Sequence, residues 1–176
     1  LNDLQKVKMW AWEGDPISAG TFKNFGISPI PLPITDVLTS LQTNLIDTVY
    51  TGALACVSLQ WFTKVKYILD LKLTYATGAV LVSKKIFNRL KPEHQETVKK
   101  LANEHFRKLV VQSRKDDETS LQLMLESGLD LVPINAEEMK KMQEASTKTR
   151  SSLAGSLYSP ELLKKVEMEL EVFRKK

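Results

Sequence analysis

The stretch from Pro92 to Ser127 constrains the fold of this 176-residue chain more than any other. It contains no glycine, and Pro92 is its only proline. Proline suits the first turn of a helix, and Gly128 supplies a stop at the far end. About 36 residues at roughly 1.5 Å each give a helix of about 54 Å. The sequence therefore predicts one helix that is longer than a small domain is wide.

Apolar residues occupy both ends of this predicted helix, and the polar belt 112–119 lies between them. The apolar positions are Val98, Leu101, Ala102, Phe106, Leu109 and Val110 at one end, and Leu121, Met124 and Leu125 at the other. A helix that crosses from one packed lobe to another touches no core at its middle. We therefore expect a belt more exposed than either flank; a hairpin that reverses near Lys115 is the alternative.

Strand and helix patterns alternate along the rest of the chain, which favours α/β layers. Extended segments are predicted at 7–12, 30–34 (an edge strand, because of its prolines), 47–50, 67–82 and 129–134. Helices are predicted to begin at caps or prolines near Asp15, Thr35, Ala53, Asn135 and Ser159. The last helix carries an apolar stripe that we expect to be buried, formed by Leu163, Val166, Leu170 and Phe173.

Composition and motifs exclude several functions. The net charge of +4 comes from Lys interleaved with Glu, without the basic and aromatic cluster of a nucleic-acid site. His94 and His105 have no Cys or Asp pair to complete a metal shell, and no glycine-rich phosphate loop occurs. Cys56 lies in an apolar run and is predicted to be a buried, inert thiol. No catalytic residue, metal or cofactor is predicted.

Large aromatic residues concentrate in the first third of the chain, on predicted strand ends and on the helix that follows; they are Trp10, Trp12, Tyr50 and Trp61. Trp10 and Trp12 alternate along one strand and therefore face the same side. Aromatic rings with a polar tip are usual in the lining of a small-molecule cleft. Core packing is the alternative interpretation for each ring.

The order of several motifs resembles the second half of solute receptors of tripartite ATP-independent periplasmic (TRAP) transporters, of the DctP type. The motifs are the strand and turn at 7–16, Gly26-x-x-Pro29-x-Pro31, the helix ending Leu41-Gln42-Thr43 before Asp47, the segment 78–85, and Leu90-Lys91-Pro92-Glu93. The resemblance implies a type II periplasmic-binding-protein architecture with two α/β lobes and a long helix across both.

On this resemblance, residues 1–75 belong to the second lobe, residues 76–115 rejoin the first lobe, and residues 116–176 return to the second. The N-terminal lobe is then absent from the chain. We expect the apolar strand 75–83 to need a partner, either the missing lobe or a second copy that exchanges strands or helices.

The resemblance also implies a ligand site formed by Trp10, Trp12, Glu13, Ile34, Tyr50 and Thr51. Most of the family has Lys-Ile-Arg where this chain has Lys8-Met9-Trp10, and that arginine binds the solute carboxylate. Thr51 stands where the family has an asparagine, and Ile34 where it has an aromatic residue. A divergent subgroup with an uncharged, aromatic or hydrophobic solute is the expectation.

The function implied by the resemblance is non-enzymatic capture of a small molecule and its delivery to TRAP permease subunits in the membrane. The expected location is periplasmic, or otherwise extracytoplasmic with a lipid anchor. A ligand-sensing or protein-interaction domain on the same fold, without transport, is the alternative, since a fold alone does not fix a function.

Overall fold

The structure is a computed structural model that describes residues 2–69, 71–74 and 78–175. These residues form two compact units. Unit 1 comprises residues 2–51, 63–65 and 133–175, and unit 2 comprises the described residues of 52–62 and 66–132. Both units combine helices with short parallel strand pairs, which confirms the predicted mixed α/β class.

The strands are β1 (Trp10–Trp12), β2 (Ile30–Leu32), β3 (Tyr67–Leu69) and β4 (Asp130–Val132). The α-helices are α1 (Pro16–Asn24), α2 (Val37–Gln42), α3 (Ala53–Ser58), α4 (Lys84–Phe87), α5 (Pro92–Glu126), α6 (Ala136–Leu153) and α7 (Pro160–Arg174). Short 3-10 helices span Asn2–Lys6, Ile34–Asp36 and Trp61–Lys64. No described helix combines the length and apolar character that crossing a bilayer requires.

In unit 1, β1 pairs in parallel with β2, and Trp10 lies opposite Ile30. Met9, just before β1, forms an isolated parallel bridge with Thr48, and the strand predicted at 47–50 is reduced to this bridge. The prolines confine β2 to the outside of this pairing, as predicted, because proline has no N–H to donate. Side chains alternate across β1: Met9 and Ala11 pack into a core with Phe22.

The boundaries of α1 follow local rules. Asp15 accepts a 2.9 Å hydrogen bond from the backbone N–H of Ile17, and Pro16 occupies the first turn. Gly26 adopts a φ of 78°, which ends the helical path. In the same unit, the Asn24 amide donates a 2.9 Å hydrogen bond to the buried hydroxyl of Thr149 on α6. Three predictions are therefore confirmed: the cap of α1 at Asp15, its stop at Gly26, and the cap of α6 at Asn135.

Two predictions in unit 1 are wrong. Thr35 does not cap α2; its hydroxyl donates to Asp36 at 3.1 Å, and residues 34–36 form a 3-10 turn first. Serine and threonine bond readily to their own neighbourhood, which competes with capping. The stripe of α7 is not buried either, since Val166, Leu170 and Phe173 are 47%, 43% and 75% exposed. None of the side chains described on α7 is buried.

In unit 2, α5 is one continuous helix of 35 residues, so the hairpin alternative is wrong. Gly128 ends it with a φ of 91°. The chain then enters β4, which pairs in parallel with β3 and places Tyr67 opposite Asp130. Helix α3 packs against α5.

The exposure of α5 differs from the prediction. Its N-terminal half is exposed, including Leu109 at 56% and Val110 at 48%, whereas Met124 near the other end is buried. The belt 112–119 is partly covered, because Asp117 contacts the start of α3. A belt more exposed than both flanks is therefore not observed.

The strand predicted at 67–82 is mostly wrong within the described residues. It shrinks to β3, and residues 78–83 form no regular structure. Residues 75–77 lie outside the described residues. Val80 and Leu81 are 71% and 87% exposed. A β-branched run becomes a strand only where a neighbour accepts its hydrogen bonds, and no described strand lies beside it in either sheet.

Candidate functional site

Four aromatic rings of unit 1 form one contiguous group, which we call the aromatic cluster: Trp10, Trp12, Tyr50 and Phe22. The Trp10 ring stacks on Tyr50 with a centroid distance of 5.3 Å and lies 5.8 Å from Trp12. Phe22 meets Tyr50 edge to face at 5.0 Å. Such pairs add stabilisation beyond the apolar area that they bury.

The two tryptophans of the cluster have different environments although they share one side of β1. Trp10 is 2% exposed, and its indole N–H donates a 3.0 Å hydrogen bond to the backbone carbonyl of Leu32 on β2. Trp12 is 47% exposed, and its backbone N–H donates to the Tyr50 hydroxyl at 3.4 Å. Trp10 therefore anchors the cluster, and Trp12 presents an aromatic face to its surroundings.

The turn after β1 positions Glu13 beside the cluster in sequence. The backbone N–H of Asp15 donates to the carbonyl of Trp12 at 3.2 Å, which closes a tight turn, and Gly14 supplies its φ of 80°. Glu13 is exposed in this turn. Its carboxylate is a candidate polar group at the edge of a site.

Of the six residues predicted for the site, Trp10, Trp12 and Tyr50 come together in the aromatic cluster. Ile34 is half-buried at the start of a 3-10 turn, and Thr51 is exposed immediately after Tyr50. The cluster, Ile34 and Thr51 all belong to unit 1.

Sequence reasoning missed Phe22, a member of the cluster, and the carbonyl of Leu32, which accepts the hydrogen bond of Trp10. Phe22 lies on the buried face of α1, where its spacing predicts core packing and nothing more. The carbonyl carries no side-chain signal at all. Trp61, which belongs to unit 2 and is 1% exposed, lies in the packed interior rather than at a surface.

The described residues give little support for nucleophilic catalysis or metal binding. Burial raises the pKa of the Cys56 thiol to about 11, against a smaller opposing effect of a backbone hydrogen bond from Phe62. The thiol is therefore protonated near neutral pH, which disfavours nucleophilic attack. The described residues contain no group of acidic, histidine or cysteine side chains that could hold a metal ion.

The chain matches one family model and is similar to curated periplasmic binding proteins. Residues 1–154 match the family model of DctP, the bacterial extracellular solute-binding proteins of family 7. The 2,3-diketo-L-gulonate-binding periplasmic protein YiaO of Escherichia coli is 29% identical over 133 residues, which are 74% of this chain and 39% of that protein. The ectoine/5-hydroxyectoine-binding periplasmic protein UehA of Ruegeria pomeroyi is 27% identical, over 85% of this chain and 44% of that protein. The chain thus spans less than half the length of these curated relatives.

Solved structures share the fold at lower sequence identity. A TRAP periplasmic solute-binding protein from Xanthobacter autotrophicus with bound β-D-galacturonate matches with a TM-score of 0.83 and 20% identity, over 95% of this chain and 54% of that one. The ectoine-binding protein of the TeaABC TRAP transporter from Halomonas elongata matches with a TM-score of 0.78 and 20% identity, over 88% and 52%. These likenesses concern the fold, of which the chain supplies about half.

The match confirms the predicted family, the DctP-type solute receptors, and this family is one of periplasmic solute-binding proteins rather than of enzymes. Its extent, 154 of 176 residues, includes the whole aromatic cluster and all of α5. This chain belongs to the DctP family of bacterial extracellular solute-binding proteins.

Proposed function

We propose that the chain is part of a TRAP-type extracytoplasmic solute receptor, in which the aromatic cluster of unit 1 forms one wall of the solute cleft. The observation that carries this proposal is the exposed face of Trp12, held beside the buried pair Trp10 and Tyr50. A rigid aromatic wall with few polar groups is the usual lining of a small-molecule site.

The chain corresponds to the second lobe of such a receptor with its long helix. Residues 1–75 would form that lobe, residues 76–115 would rejoin a first lobe, and residues 116–176 would return. The family match over most of the chain and the coverage of about half of a solved relative support the proposal that the chain is about half of a receptor. The exposed apolar half of α5 agrees with it, because such a face needs a covering surface.

The solute is proposed to be uncharged, aromatic or hydrophobic. The motif resemblance puts Trp10 where most of the family has an arginine that binds a carboxylate. The Trp10 ring is buried against Tyr50. The cluster contributes rings, an indole and a hydroxyl but no cation. Glu13, exposed beyond Trp12, would repel a carboxylate at that edge rather than attract it.

The proposed partners are the small solute, the TRAP permease subunits, and either the missing lobe or a second copy of the chain. The exposed apolar residues of 78–82 and of α7 support the last of these. A swapped strand or helix from a second copy would pair groups that are otherwise open to water. No nucleic acid is proposed as a partner.

Native mass spectrometry of the protein from its natural source tests this function. We expect a copurifying small molecule without a carboxylate, and calorimetry with that compound should show loss of affinity in Trp12→Ala. Tyr67→Ala removes an aromatic side chain that is 66% exposed in unit 2 and serves as the matched control. Equal affinity of both variants would contradict the proposed wall, and a carboxylate solute would contradict the proposed ligand class.

A further inference from the structure

Three backbone N–H groups on one edge of β1 and the residues before it have an unusual set of partners. They are the N–H groups of Lys8, Trp10 and Trp12. In a regular parallel pair of strands, backbone carbonyls of the neighbour would accept all three. Here the middle group donates to the carbonyl of Thr48 at 2.8 Å. The outer two donate to side-chain oxygens, that of Asp47 at 2.8 Å and that of Tyr50 at 3.4 Å.

The carboxylate of Asp47 takes the place of a strand carbonyl opposite Lys8. Its Oδ1 atom accepts the Lys8 N–H and also the Thr48 hydroxyl, each at 2.8 Å. In the other direction, the Asp47 N–H donates to the Lys8 carbonyl at 3.1 Å. Two hydrogen bonds therefore join Asp47 to Lys8. They fix the start of residues 47–50, which we call the flanking segment, beside β1.

Tyr50 holds the other end of the flanking segment. Its ring stacks on Trp10 at 5.3 Å with an interplanar angle of 30°, and Phe22 meets it edge to face. Its hydroxyl accepts from the Trp12 N–H. Trp12 carries the exposed ring of the proposed wall, so the placement of Tyr50 determines how the backbone beneath that ring is held.

A second contact of Lys8 offers a competing explanation for the placement of the flanking segment. The Lys8 Nζ atom donates a 2.8 Å hydrogen bond to the carbonyl of Asn44, which has a φ of 57° just after α2. Lysine often binds the last carbonyls of a helix in this way. The two contacts can be separated experimentally, because the amine of Lys8 bonds to Asn44 and its backbone N–H bonds to Asp47.

We propose that Asp47 is a positioning residue of the candidate site. Its carboxylate fixes the flanking segment beside β1, and this places the Tyr50 ring on Trp10 and the Tyr50 hydroxyl at the Trp12 N–H. All of these residues belong to unit 1. The role rests on the proposed function, in which the aromatic cluster forms a wall of the solute cleft. Asp47 acts through the backbone of residues 48–50 rather than by contact with a solute.

The first test measures the bond itself, by amide hydrogen exchange of Lys8 in the 176-residue chain. Asp47→Leu should accelerate this exchange roughly fivefold, the factor that corresponds to one lost hydrogen bond. Position 47 is not a sequence neighbour of Lys8, so the substitution leaves the intrinsic exchange rate of that amide unchanged. Asp47→Asn keeps an acceptor oxygen and should retain protection. Unchanged exchange in Asp47→Leu would overturn the proposal.

The second test measures where the Tyr50 ring lies, by NMR. A ring stacked on an indole has ring protons shifted upfield by the ring current, and this shift depends on the distance between the two rings. Asp47→Leu should move the Tyr50 ring protons towards the positions of a free tyrosine, and Asp47→Asn should retain the wild-type shifts. A variant that is merely less stable keeps wild-type shifts in its folded molecules. Wild-type shifts in Asp47→Leu would therefore refute the positioning role.

Two control variants accompany this measurement. Asp3→Leu removes another carboxylate of unit 1, which is 91% exposed and bonds to Lys6. Lys8→Met removes the amine that bonds to Asn44 and keeps the backbone N–H that bonds to Asp47. Both should retain the wild-type shifts of the Tyr50 ring. If Lys8→Met moves them as far as Asp47→Leu does, the end of α2 rather than Asp47 places the ring, and the proposal fails.

The third test follows the effect as far as Trp12. Tyr50→Phe removes the acceptor of the Trp12 N–H and should accelerate exchange of that amide. Asp47→Leu should accelerate it too, and the double variant should exchange no faster than Tyr50→Phe alone, because both changes break the same bond. Unchanged exchange of Trp12 in Asp47→Leu would show that Asp47 does not act on the exposed ring. The three tests use no solute, so their failure is distinct from the absence of solute binding by the wild type, which would overturn the proposed function.

Discussion

The indole N–H of Trp10 and the backbone carbonyl of Leu32 form a 3.0 Å hydrogen bond between β1 and β2. Strand β2 contains Pro31 and cannot donate at that residue. The side chain of Trp10 thus adds a cross-strand bond where the backbone ladder is incomplete, and it fixes the ring that supports Tyr50.

Replacing Trp10 with Phe keeps an aromatic ring but removes the donor to Leu32. We expect a loss of about 1–3 kcal/mol in the free energy of unfolding, because a partly buried carbonyl loses its partner. Urea denaturation measures this loss. Trp12→Phe, at the exposed end of the same strand, should change stability by less than about 0.5 kcal/mol. Equal losses in the two variants would contradict the anchoring role of Trp10.

Two glycines, one inside α1 and one just after it, should respond in opposite directions to alanine. Gly20 lies inside α1, where alanine favours the helix by up to about 1 kcal/mol, and the new Cβ would meet Thr149 at an ordinary 3.4 Å. Gly26 has a φ of 78°, where alanine costs about 1–2 kcal/mol. The midpoint temperature of thermal unfolding should therefore rise for Gly20→Ala and fall for Gly26→Ala. A stabilised Gly26→Ala variant would show that the turn is not held in this conformation.

Cys56 predicts a loss of stability at alkaline pH. Burial raises the pKa of its thiol from 9.0 to about 11, so the folded state holds this proton more tightly than the unfolded state does. Stability is intact below pH 9, falls between pH 9 and about 11, and loses about 2–3 kcal/mol in total. Chemical denaturation across this range measures the slope. In Cys56→Ala this contribution should vanish, and an unchanged slope would assign the effect to other groups.

The exposed apolar stripes predict association of the chain in solution. Leu109 on α5 and Phe173 on α7 are 56% and 75% exposed, in stripes of similar residues. We expect sedimentation at micromolar concentration to show a species larger than the monomer, and Leu170→Glu with Phe173→Glu to shift it towards the monomer. Lys164→Glu with Lys165→Glu changes charge on the same helix and serves as the control. A monomeric wild type would contradict the proposed second copy.

The sequence predicted best what short-range rules decide. Asp15, Gly26, Gly128 and the prolines of β2 act on their own neighbours, and each element begins, ends or stays at an edge as those rules require. The continuity of α5 follows from the same logic, since nothing within it interrupts helical hydrogen bonding.

The burial of side chains was predicted poorly, because apolar spacing along a helix does not identify the surface that would cover it. Apolar spacing on α7 predicted the helix correctly but not its burial, since none of the side chains described on it is buried. In the candidate site, alternation on one strand correctly brought Trp10 and Trp12 to one side. The contacts of Phe22 with Tyr50 and of Asp117 with Leu54 could not be foreseen, because they join segments that are distant in sequence.

The parallel pairing of β3 with β4 has a consequence for the kinetics of folding. The two strands are separated in sequence by α4 and the whole of α5. Closing so large a loop is entropically unfavourable until its interior is ordered, whereas helical turns form locally within microseconds. Helix α5 therefore sets the order of events in unit 2: once formed, it shortens the search by which Leu131 finds Ile68, and any substitution that frays its middle should slow strand pairing more than it weakens the finished sheet.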